Sequence, residues 1–310
     1  MQAVKRTEAG IEVVDIDDPA GDGAMVEVRA SSLCGSDLHM IGYGPIPCVL
    51  GHEFAGVLDD GTPVAVDPSN PCGECPECRT GRRHLCNNGL ILGITADGGM
   101  AERVRVRPDA LIRLPAGLPV EHACLVEPLA VAVHGLEQGG IAGGERVAVV
   151  GAGSIGLAAV ASAAAAGCAV DLEARHDTQR VAGERLGALG PTSGGYDVVF
   201  EAAGTQSALD RAVELVRPGG LVVFLSTFWE GVTMPGVAAM MKEATFKWAF
   251  TYAHHGGGRD VDTAAALLAR RPEIATTLIT HRFPLADAPE AFRVAADRAH
   301  GAIKVVLEPA

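Results

Sequence analysis

Residues 146–156 read Arg-Val-Ala-Val-Val-Gly-Ala-Gly-Ser-Ile-Gly, and this stretch decides the fold of the middle of the chain. Its apolar first half, Arg146–Val150, is typical of a buried parallel strand. The glycines that follow form the pattern G-x-G-x-x-G, and the Ala-rich segment Leu157–Ala166 behind them is typical of a helix. A strand before this pattern and a helix after it predict a Rossmann unit that binds the pyrophosphate of a dinucleotide. The predicted binding residues are Gly151, Gly153, Ser154, Ile155 and Gly156.

The end of the next strand, Cys168–Ala174, indicates which dinucleotide binds. An NAD site needs an Asp or Glu about 20 residues past the glycine pattern, where it holds the ribose 2′-hydroxyl. Here Arg175 stands at that place, followed by His176, with Arg180 further on. A guanidinium can hold a 2′-phosphate through paired hydrogen bonds, whereas a carboxylate would repel it. The alternative is a solvated basic turn at the start of a helix. The sequence favours NADP(H) over NAD(H).

Further α/β units follow the glycine pattern. Strands are predicted at Tyr196–Glu201 and Leu221–Ser226, with a helix at Thr205–Val216 between them. Only nine residues separate Gly187 from Asp197, and a parallel crossover through a helix needs about a dozen or more. We therefore expect the third strand and its helix to be shortened or lost.

Length and composition limit the classes of protein. A chain of 310 residues predicts two domains, and its 25 Lys and Arg against 38 Asp and Glu give a net charge of −13. That charge argues against nucleic acid or an anionic membrane as the main partner. The chain has no strongly apolar stretch of membrane-spanning length and no apolar region near Met1, so we expect a cytoplasmic protein without a membrane segment.

Four of the eight cysteines are clustered. Cys72, Cys75, Cys78 and Cys86 have the spacing C-x2-C-x2-C-x7-C, which predicts a closed, structural zinc site with four thiolate ligands. An iron–sulfur cluster would favour a last spacing of three residues followed by proline. A nucleic-acid module is the other alternative, because arginines lie within the loop, but neighbouring glutamates offset part of their charge.

A second set of metal-binding residue types is spread along the chain: Cys34, His52 and Glu127. One thiolate, one imidazole and one carboxylate leave zinc an open position for water or substrate. Taken singly, each has an ordinary structural explanation, as a buried thiol, a core histidine and a surface acid. The combination with the dinucleotide motif favours a catalytic zinc site.

These motifs together resemble the zinc-containing medium-chain dehydrogenase/reductase superfamily, which includes alcohol, sorbitol and threonine dehydrogenases. The resemblance covers essentially the full chain. It rests on Cys-Gly-Ser-Asp-Leu-His at 34–39, Gly-His-Glu at 51–53, the cysteine lobe, Glu-Pro-Leu-Ala-Val at 127–131, the glycine pattern and the C-terminal Ile303–Leu307.

The resemblance implies an α/β fold with two domains and an active site in the cleft between them. A GroES-like antiparallel β-barrel catalytic domain would occupy residues 1–129, with the structural zinc lobe at about 70–88. A Rossmann domain with a doubly wound parallel sheet would occupy residues 130–253, and residues 254–310 would return to the catalytic domain. The strand-like Thr245–Tyr252 resembles the subunit-pairing edge of the family, which implies a homodimer or homotetramer.

The resemblance also assigns roles to individual residues. Cys34, His52 and Glu127 resemble the catalytic zinc ligands, and Glu127 in place of a second Cys is similar to the polyol and threonine dehydrogenase branch. Glu53 resembles the acid that can approach the metal. Cys124 could compete as a ligand, although the Glu-Pro-Leu match favours Glu127.

Three further roles concern the orientation of His52, the binding of the cofactor and the transfer of the proton. Asp37 resembles the partner that orients His52, which agrees with the need of a ligand imidazole for a hydrogen-bond acceptor. Lys304 resembles the basic residue that reaches the cofactor pyrophosphate, although it could be an exposed lysine at a strand end. Ser36 and His39 resemble a proton relay that runs through the cofactor ribose.

The expected protein is thus a zinc-dependent oxidoreductase that transfers hydride between NADP(H) and a secondary alcohol or polyol and its ketone, with two zinc ions per subunit. One alternative is an NAD-dependent dehydrogenase of the sorbitol or threonine type. The other is a zinc-stabilised NADPH-binding protein without dehydrogenase activity. The interval between Cys34 and His52 is compressed relative to the family, and Met40–Pro47 within it is the segment that would line the substrate pocket.

Overall fold

The computed structural model describes residues 1–255, 258–297 and 301–309. The chain divides into two compact units. The first unit comprises Met1–Glu127 and Ala253–Ala310, and the second, called the Rossmann unit below, comprises Pro128–Tyr252. No helix in the described part of the chain is long and apolar enough to cross a membrane.

The helices and strands are numbered along the chain. The strands are β1 (Gln2–Thr7), β2 (Gly10–Asp15), β3 (Ala24–Ser32), β4 (Glu53–Leu58), β5 (Pro63–Val66), β6 (Ser69–Asn70), β7 (Leu90–Ile91), β8 (Arg103–Val106), β9 (Leu111–Arg113), β10 (Arg146–Val150), β11 (Ala169–Glu173), β12 (Tyr196–Glu201), β13 (Val216–Phe224), β14 (Thr245–Trp248), β15 (His254–His255), β16 (Gly258–Arg259), β17 (Ile279–Pro284) and β18 (Lys304–Glu308). The helices are α1 (Gly35–Met40), α2 (Pro76–Arg79), α3 (Val126–Gln138), α4 (Ser154–Ala165), α5 (Asp177–Leu186), α6 (Gln206–Leu215), α7 (Gly236–Met241), α8 (Asp260–Arg270), α9 (Glu273–Leu278) and α10 (Ala288–Ala296).

The first unit is built on a mainly antiparallel sheet. Its strands lie in the order β17-β18-β3-β4-β5-β9, and β8 pairs with β3. Only the pair β17 and β18 is parallel among the described strands of this sheet. One core cluster gathers Val26, Val28, Phe54, Val64 and Val66 from three neighbouring strands. The alternation of inward apolar residues along these strands is what allows one face to be covered by this core.

The Rossmann unit contains a parallel sheet in the order β11-β10-β12-β13-β14. The strand predicted at Arg146–Val150 and the one predicted at Tyr196–Glu201 are confirmed as β10 and β12. Helix α4 is buried over most of its length, because small alanines let it pack closely against the sheet. The glycine pattern therefore lies between a strand and a helix, as predicted.

The third strand of the doubly wound pattern is absent from the described sheet, which confirms the prediction from the short interval before Asp197. Strand β11 is the edge strand of the described sheet, and two backbone hydrogen bonds extend the pairing beyond it. Leu189 N donates to Val170 O at 2.8 Å, and Leu172 N donates to Gly190 O at 3.0 Å. Leu189 and Gly190 therefore pair with part of β11 where the third strand would lie. The segment around them is too short to contain a crossover helix.

One element was predicted wrongly. The strand predicted at Leu221–Ser226 begins five residues earlier, because residues 216–220, from the end of the predicted helix to the start of the predicted strand, already belong to β13. The register between β12 and β13 shifts at this place, with Tyr196 facing Val216 and Val198 facing Leu221. A bulge of this kind tolerates proline and glycine, which explains why a turn signal lies within a strand.

Candidate active site and cofactor site

Helix α1 presents the first group of predicted site residues. Cys34 is the residue that precedes the helix, and its backbone N–H donates to Asp37 Oδ2 at 2.9 Å. Asp37 is fully buried, and this contact fixes the first turn of the helix. Ser36 and His39 lie three residues apart on α1, so they share one side of the helix, and His39 is exposed.

His52 enters the site from the segment before β4. Its Nδ1 lies 3.4 Å from Asp37 Oδ1, and its Nε2 lies 3.4 Å from the Ser36 hydroxyl. Burial alone would lower the pKa of His52, but the charges of Asp37 and Cys34 raise it well above 6.5. Asp37, the predicted partner of His52, and Ser36, a predicted member of the proton relay, are thus next to opposite nitrogens of the ring. An imidazole held on one side by a carboxylate can present its other nitrogen to a metal.

Glu53 follows His52 and is completely buried. Both of its carboxylate oxygens accept hydrogen bonds from Lys304 Nζ, at 2.8 and 2.7 Å, and the Ser32 hydroxyl also donates to it. Lys304 Nζ donates in addition to Leu33 O at 3.1 Å. The Lys304 ammonium group is buried in the first unit, and its hydrogen bonds go to Glu53 and Leu33. A contact of Lys304 with the cofactor pyrophosphate stays a prediction.

The structure brings the ligand atoms of Cys34, His52 and Glu53 within 4.8 Å of one another. Glu127, the predicted third ligand, lies outside this group. It is nonetheless buried, and burial together with the charge of Glu53 raises the pKa of Glu127 to about 8. Cys124, the competing candidate, is also outside the group, and burial raises the pKa of its thiol to about 12.

The ligand atoms of Cys34, His52 and the neighbouring carboxylates are suited to bind a divalent cation. Cys34, Glu53 and Glu127 are acidic groups in a buried region, and Lys304 is the cation that contacts Glu53. A cation stabilises carboxylates that are buried close to one another. A thiolate, an imidazole and a carboxylate are also ligands that zinc binds in sites that keep an open position.

The four cysteines of the lobe converge as predicted. Cys72, Cys75, Cys78 and Cys86 place their sulfur atoms within 4.8 Å of one another. The sulfur of Cys86 lies 3.7 Å from that of Cys75 and 3.5 Å from that of Cys72. Zinc with four sulfurs at about 2.3 Å requires sulfur–sulfur distances of about 3.8 Å, whereas a disulfide requires about 2.05 Å. The distances fit a tetrahedral zinc site and not a disulfide.

The glycine loop fits a dinucleotide phosphate. A Cβ placed on Gly156 would lie 1.8 Å from Gly151 O, so only glycine permits this approach of helix α4 to the strand. Gly153 precedes α4, and no side chain caps the N-terminus there. Free N–H groups at a helix N-terminus attract an anion, and Ser154 and Ile155 supply the first two of them.

The basic residues beyond β11 are not equivalent. Arg175 and His176 are exposed, and Gly151 N donates to Glu173 O at 3.1 Å, so the strand end that carries them adjoins the glycine loop. Arg180, in contrast, is paired along its own helix with Glu184 at 2.6 Å and Asp177 at 3.4 Å. Arg175 and His176 have no ion pair among the described residues, and Arg175 is the guanidinium of the two.

The two carboxylates within β11 are already bound by other groups. Asp171 Oδ2 accepts from the Tyr196 hydroxyl at 2.7 Å. Glu173 accepts from Arg211 Nε at 3.1 Å and from the Thr192 hydroxyl. Both acids are therefore directed toward protein partners on this side of the sheet.

Sequence reasoning did not find all the polar residues of these sites. Ser32 lies at the end of an apolar strand, and no spacing rule connects it with Glu53. The sequence identifies Glu201 only as the last residue of a predicted strand. Its position could have indicated a role, because an acid at the carboxyl end of a buried parallel strand lies where open α/β sheets bind their ligands.

Comparison with known proteins identifies the family. Residues 20–116 match the Alcohol dehydrogenase GroES-like domain, and residues 170–307 match the family Zinc-binding dehydrogenase. The chain is 32% identical to L-galactonate-5-dehydrogenase of Escherichia coli K12, over 90% of this chain and 89% of that protein. This chain belongs to the zinc-dependent medium-chain dehydrogenase/reductase family. Its GroES-like and Rossmann-type folds are those of the family.

Two further members are similar over nearly their whole length. D-altritol 5-dehydrogenase of Agrobacterium fabrum is 31% identical, over 93% of each chain. A zinc-binding dehydrogenase of Sinorhizobium meliloti 1021, solved with NADP bound, has a TM-score of 0.89 and 32% identity, with 99% of each chain covered. Polyol dehydrogenases and an NADP-bound structure are therefore among the family members that resemble this chain.

Proposed function

We propose that the chain is a zinc-dependent dehydrogenase that transfers hydride between NADP(H) and a polyol or other secondary alcohol and its ketone. The observation that carries this proposal is the group of Cys34, His52 and Glu53, three different zinc-ligand types within 4.8 Å. A polyol is the favoured substrate class because the relatives named above include dehydrogenases of sugar acids and polyols.

The proposed metal ligands are Cys34, His52 and a carboxylate. Sequence reasoning favours Glu127 for the carboxylate, and the grouping of ligand atoms favours Glu53. Bound zinc supplies Lewis acidity at the substrate oxygen, and the bound dinucleotide accepts or supplies the hydride. Two zinc ions per chain are proposed, one at this group and one in the cysteine lobe.

The chain's own residues manage the proton. The Ser36 hydroxyl lies beside His52 Nε2, next to the nitrogen proposed to face the metal, so it is placed to take a proton from the substrate oxygen. His39 lies on the same side of α1 and is exposed, which suits the outer end of a relay to solvent. Asp37 holds the Cys34 backbone and lies beside His52, so it positions both proposed ligands.

Cofactor preference is proposed to depend on Arg175. Its guanidinium has no ion pair among the described residues, whereas the nearby acids Asp171 and Glu173 are bound by Tyr196 and Arg211. A 2′-phosphate would therefore meet a cation and no free carboxylate of strand β11. This supports NADP(H) over NAD(H).

The edge of the Rossmann sheet is the proposed subunit contact. Strand β14 is the last strand of the described sheet, and Trp248 on it and Phe250 beyond it are 60% and 54% exposed. Large apolar side chains on an unpaired edge favour association with a second copy. A light-scattering mass equal to one subunit would contradict this part of the proposal.

The deciding experiment measures NADP-dependent oxidation of a panel of polyols and secondary alcohols, followed by the appearance of NADPH. The matched variant is His52→Ala, which should abolish oxidation while NADPH binding is retained. Binding of NADPH without oxidation of any alcohol would favour the zinc-stabilised NADPH-binding protein. A higher kcat/KM with NAD would favour the NAD-dependent sorbitol or threonine type of dehydrogenase.

A further inference from the structure

Glu201 occupies a special place in the Rossmann sheet. It is the last residue of β12, and in the ladder it lies opposite Val150 on one side and Phe224 on the other. The chain passes from β10 to β11 in one direction along the sheet and returns to β12 on the opposite side of β10. The carboxyl ends of β10 and β12 therefore flank the switch point, which is where open α/β sheets bind their ligands.

The Glu201 carboxylate is fully buried and connects two strand ends. One oxygen accepts from the backbone N–H groups of Ala203 and Gly204, at 2.8 and 2.7 Å. The other accepts from the hydroxyl of Ser226, which follows β13. Burial raises the pKa of Glu201, and these three donors act in the opposite direction. Hydrogen bonds from backbone and hydroxyl donors to a carboxylate are stronger than those between neutral groups.

The turn held by Glu201 packs against the glycine loop. A Cβ placed on Gly151 would lie 2.9 Å from both the N and the Cβ of Ala203, so the turn closely covers that glycine. On its other side, a Cβ placed on Gly204 would lie 2.6 Å from Thr227 O. The turn is confined between the loop after β10 and the segment after β13.

We propose that Glu201 is a positioning residue for cofactor binding, which fixes the Ala202–Gly204 turn and Ser226 as adjoining walls of the crevice beside the glycine loop. This inference rests on the proposed nicotinamide dinucleotide function of the Rossmann unit. It assigns to Glu201 a role in affinity for the dinucleotide, in addition to the stability that any buried hydrogen-bonded carboxylate contributes.

The chain offers a matched control at the opposite end of the same strand. Asp197 also connects neighbouring strands, since it accepts from the backbone N–H of Arg146 at 3.0 Å and from Arg217 Nε at 2.7 Å. It lies near the amino end of β12, whereas ligands bind at the carboxyl ends of the strands. Asp197→Ala therefore removes a carboxylate that links neighbouring strands by hydrogen bonds, and it leaves the switch point unchanged.

The experiment titrates NADPH and NADH into the full-length wild type and variants and records melting temperatures alongside the dissociation constants. Glu201→Ala should weaken binding of the preferred dinucleotide about tenfold, because one or more charge-assisted hydrogen bonds are lost. Glu201→Gln, which retains an acceptor for the Ala203 and Gly204 N–H groups, should recover most of the affinity. Asp197→Ala should lower the melting temperature and leave the dissociation constant within about twofold of the wild type.

Ser226→Ala provides a milder test that does not depend on the folding of Glu201→Ala. It removes one donor and should weaken binding about threefold. Wild-type affinity in Ser226→Ala and in folded Glu201→Ala would overturn the inference and leave the proposed function intact. A wild-type protein that binds neither dinucleotide would overturn the proposed function, and this inference with it.

Discussion

Lys304 Nζ donates to both carboxylate oxygens of Glu53, and the two side chains are 1% and 0% exposed. The residues are 251 positions apart in sequence, so the pair joins the C-terminal strand β18 to the start of β4. Burial works to lower the pKa of Lys304, but the charge of Glu53 raises it. The lysine thus remains charged and compensates a carboxylate beside the proposed metal site.

Lys304→Met should lower the free energy of unfolding by about 3 kcal/mol, because it leaves the Glu53 carboxylate buried without its cation. The double variant Lys304→Met/Glu53→Gln should regain most of this loss, since no uncompensated charge remains. Urea denaturation of the wild type, both single variants and the double variant forms a complete cycle. Strictly additive effects of the two substitutions would show that the pair is not coupled.

The zinc content should report the two proposed metal sites separately. Wild-type protein purified without chelator should contain two zinc ions per chain, and His52→Ala and Cys75→Ser should each contain one, measured by elemental analysis. The variant Cys48→Ser is the control, because Cys48 is a buried thiol outside both groups. Equal zinc content in His52→Ala and the wild type would exclude His52 as a ligand.

The carboxylate ligand can be identified in the same way. If Glu53 binds the metal, Glu53→Gln should lose about one zinc ion per chain and Glu127→Gln should retain it; the reverse result would identify Glu127. Retention of zinc in both single variants would mean that the carboxylates substitute for each other.

Arg175→Asp should raise KM for NADP at least about tenfold and leave KM for NAD nearly unchanged, because the new carboxylate repels the 2′-phosphate. Steady-state kinetics with each cofactor measures the effect. Arg185→Asp makes the same charge change on the exposed surface of α5 and should affect neither constant. Equal effects of the two substitutions would indicate a general effect of charge and not a contact with the 2′-phosphate.

Gly51→Ala should abolish activity and reduce zinc at the proposed catalytic site. Gly51 has φ +96°, and a Cβ there would lie 2.6 Å from Met100 Cγ and 2.7 Å from Met100 N, so the segment before His52 must move. Gly61→Ala is the control, since Gly61 has φ +80° but open space around its Cα. It should cost about 1 kcal/mol of stability from backbone strain and leave the zinc content unchanged.

Asp197 should make stability dependent on pH in the acid range. Its hydrogen bonds from Arg217 and from the Arg146 backbone lower its pKa below 3.8. The stabilisation is therefore fully present above the usual Asp pKa and is lost as the pH falls through the lower folded value. Melting temperatures of the wild type and Asp197→Asn should differ most at neutral pH and converge below about pH 3.8. A constant difference over this range would exclude a contribution from the ionisation of Asp197.

The Rossmann elements could be predicted from the sequence because their signals are local. An apolar run followed by glycines and alanines is sufficient to predict β10 and α4. The short interval before Asp197 is sufficient to exclude a full crossover helix with its strand. The start of β13 was missed because the glycines at 219 and 220 are a turn signal that the neighbouring strands overcome by a bulge. The local preference of a segment for helix, strand or turn determines its secondary structure only where pairing with another strand does not compete with that preference.

The sequence by itself determined the ligand types, the spacing of the four cysteines, the dinucleotide motif and the family resemblance. Tertiary structure decided which acidic and basic groups meet. Glu53 lies with Cys34 and His52 in a group of ligand atoms within 4.8 Å, and Glu127 does not belong to that group. Lys304 donates to Glu53, and Arg180 is paired on its own helix while Arg175 has no ion pair among the described residues. The physical reason is that the energy of a charge depends on its partners and its burial. Both are set by chain segments that lie far apart in sequence, and no local pattern records them.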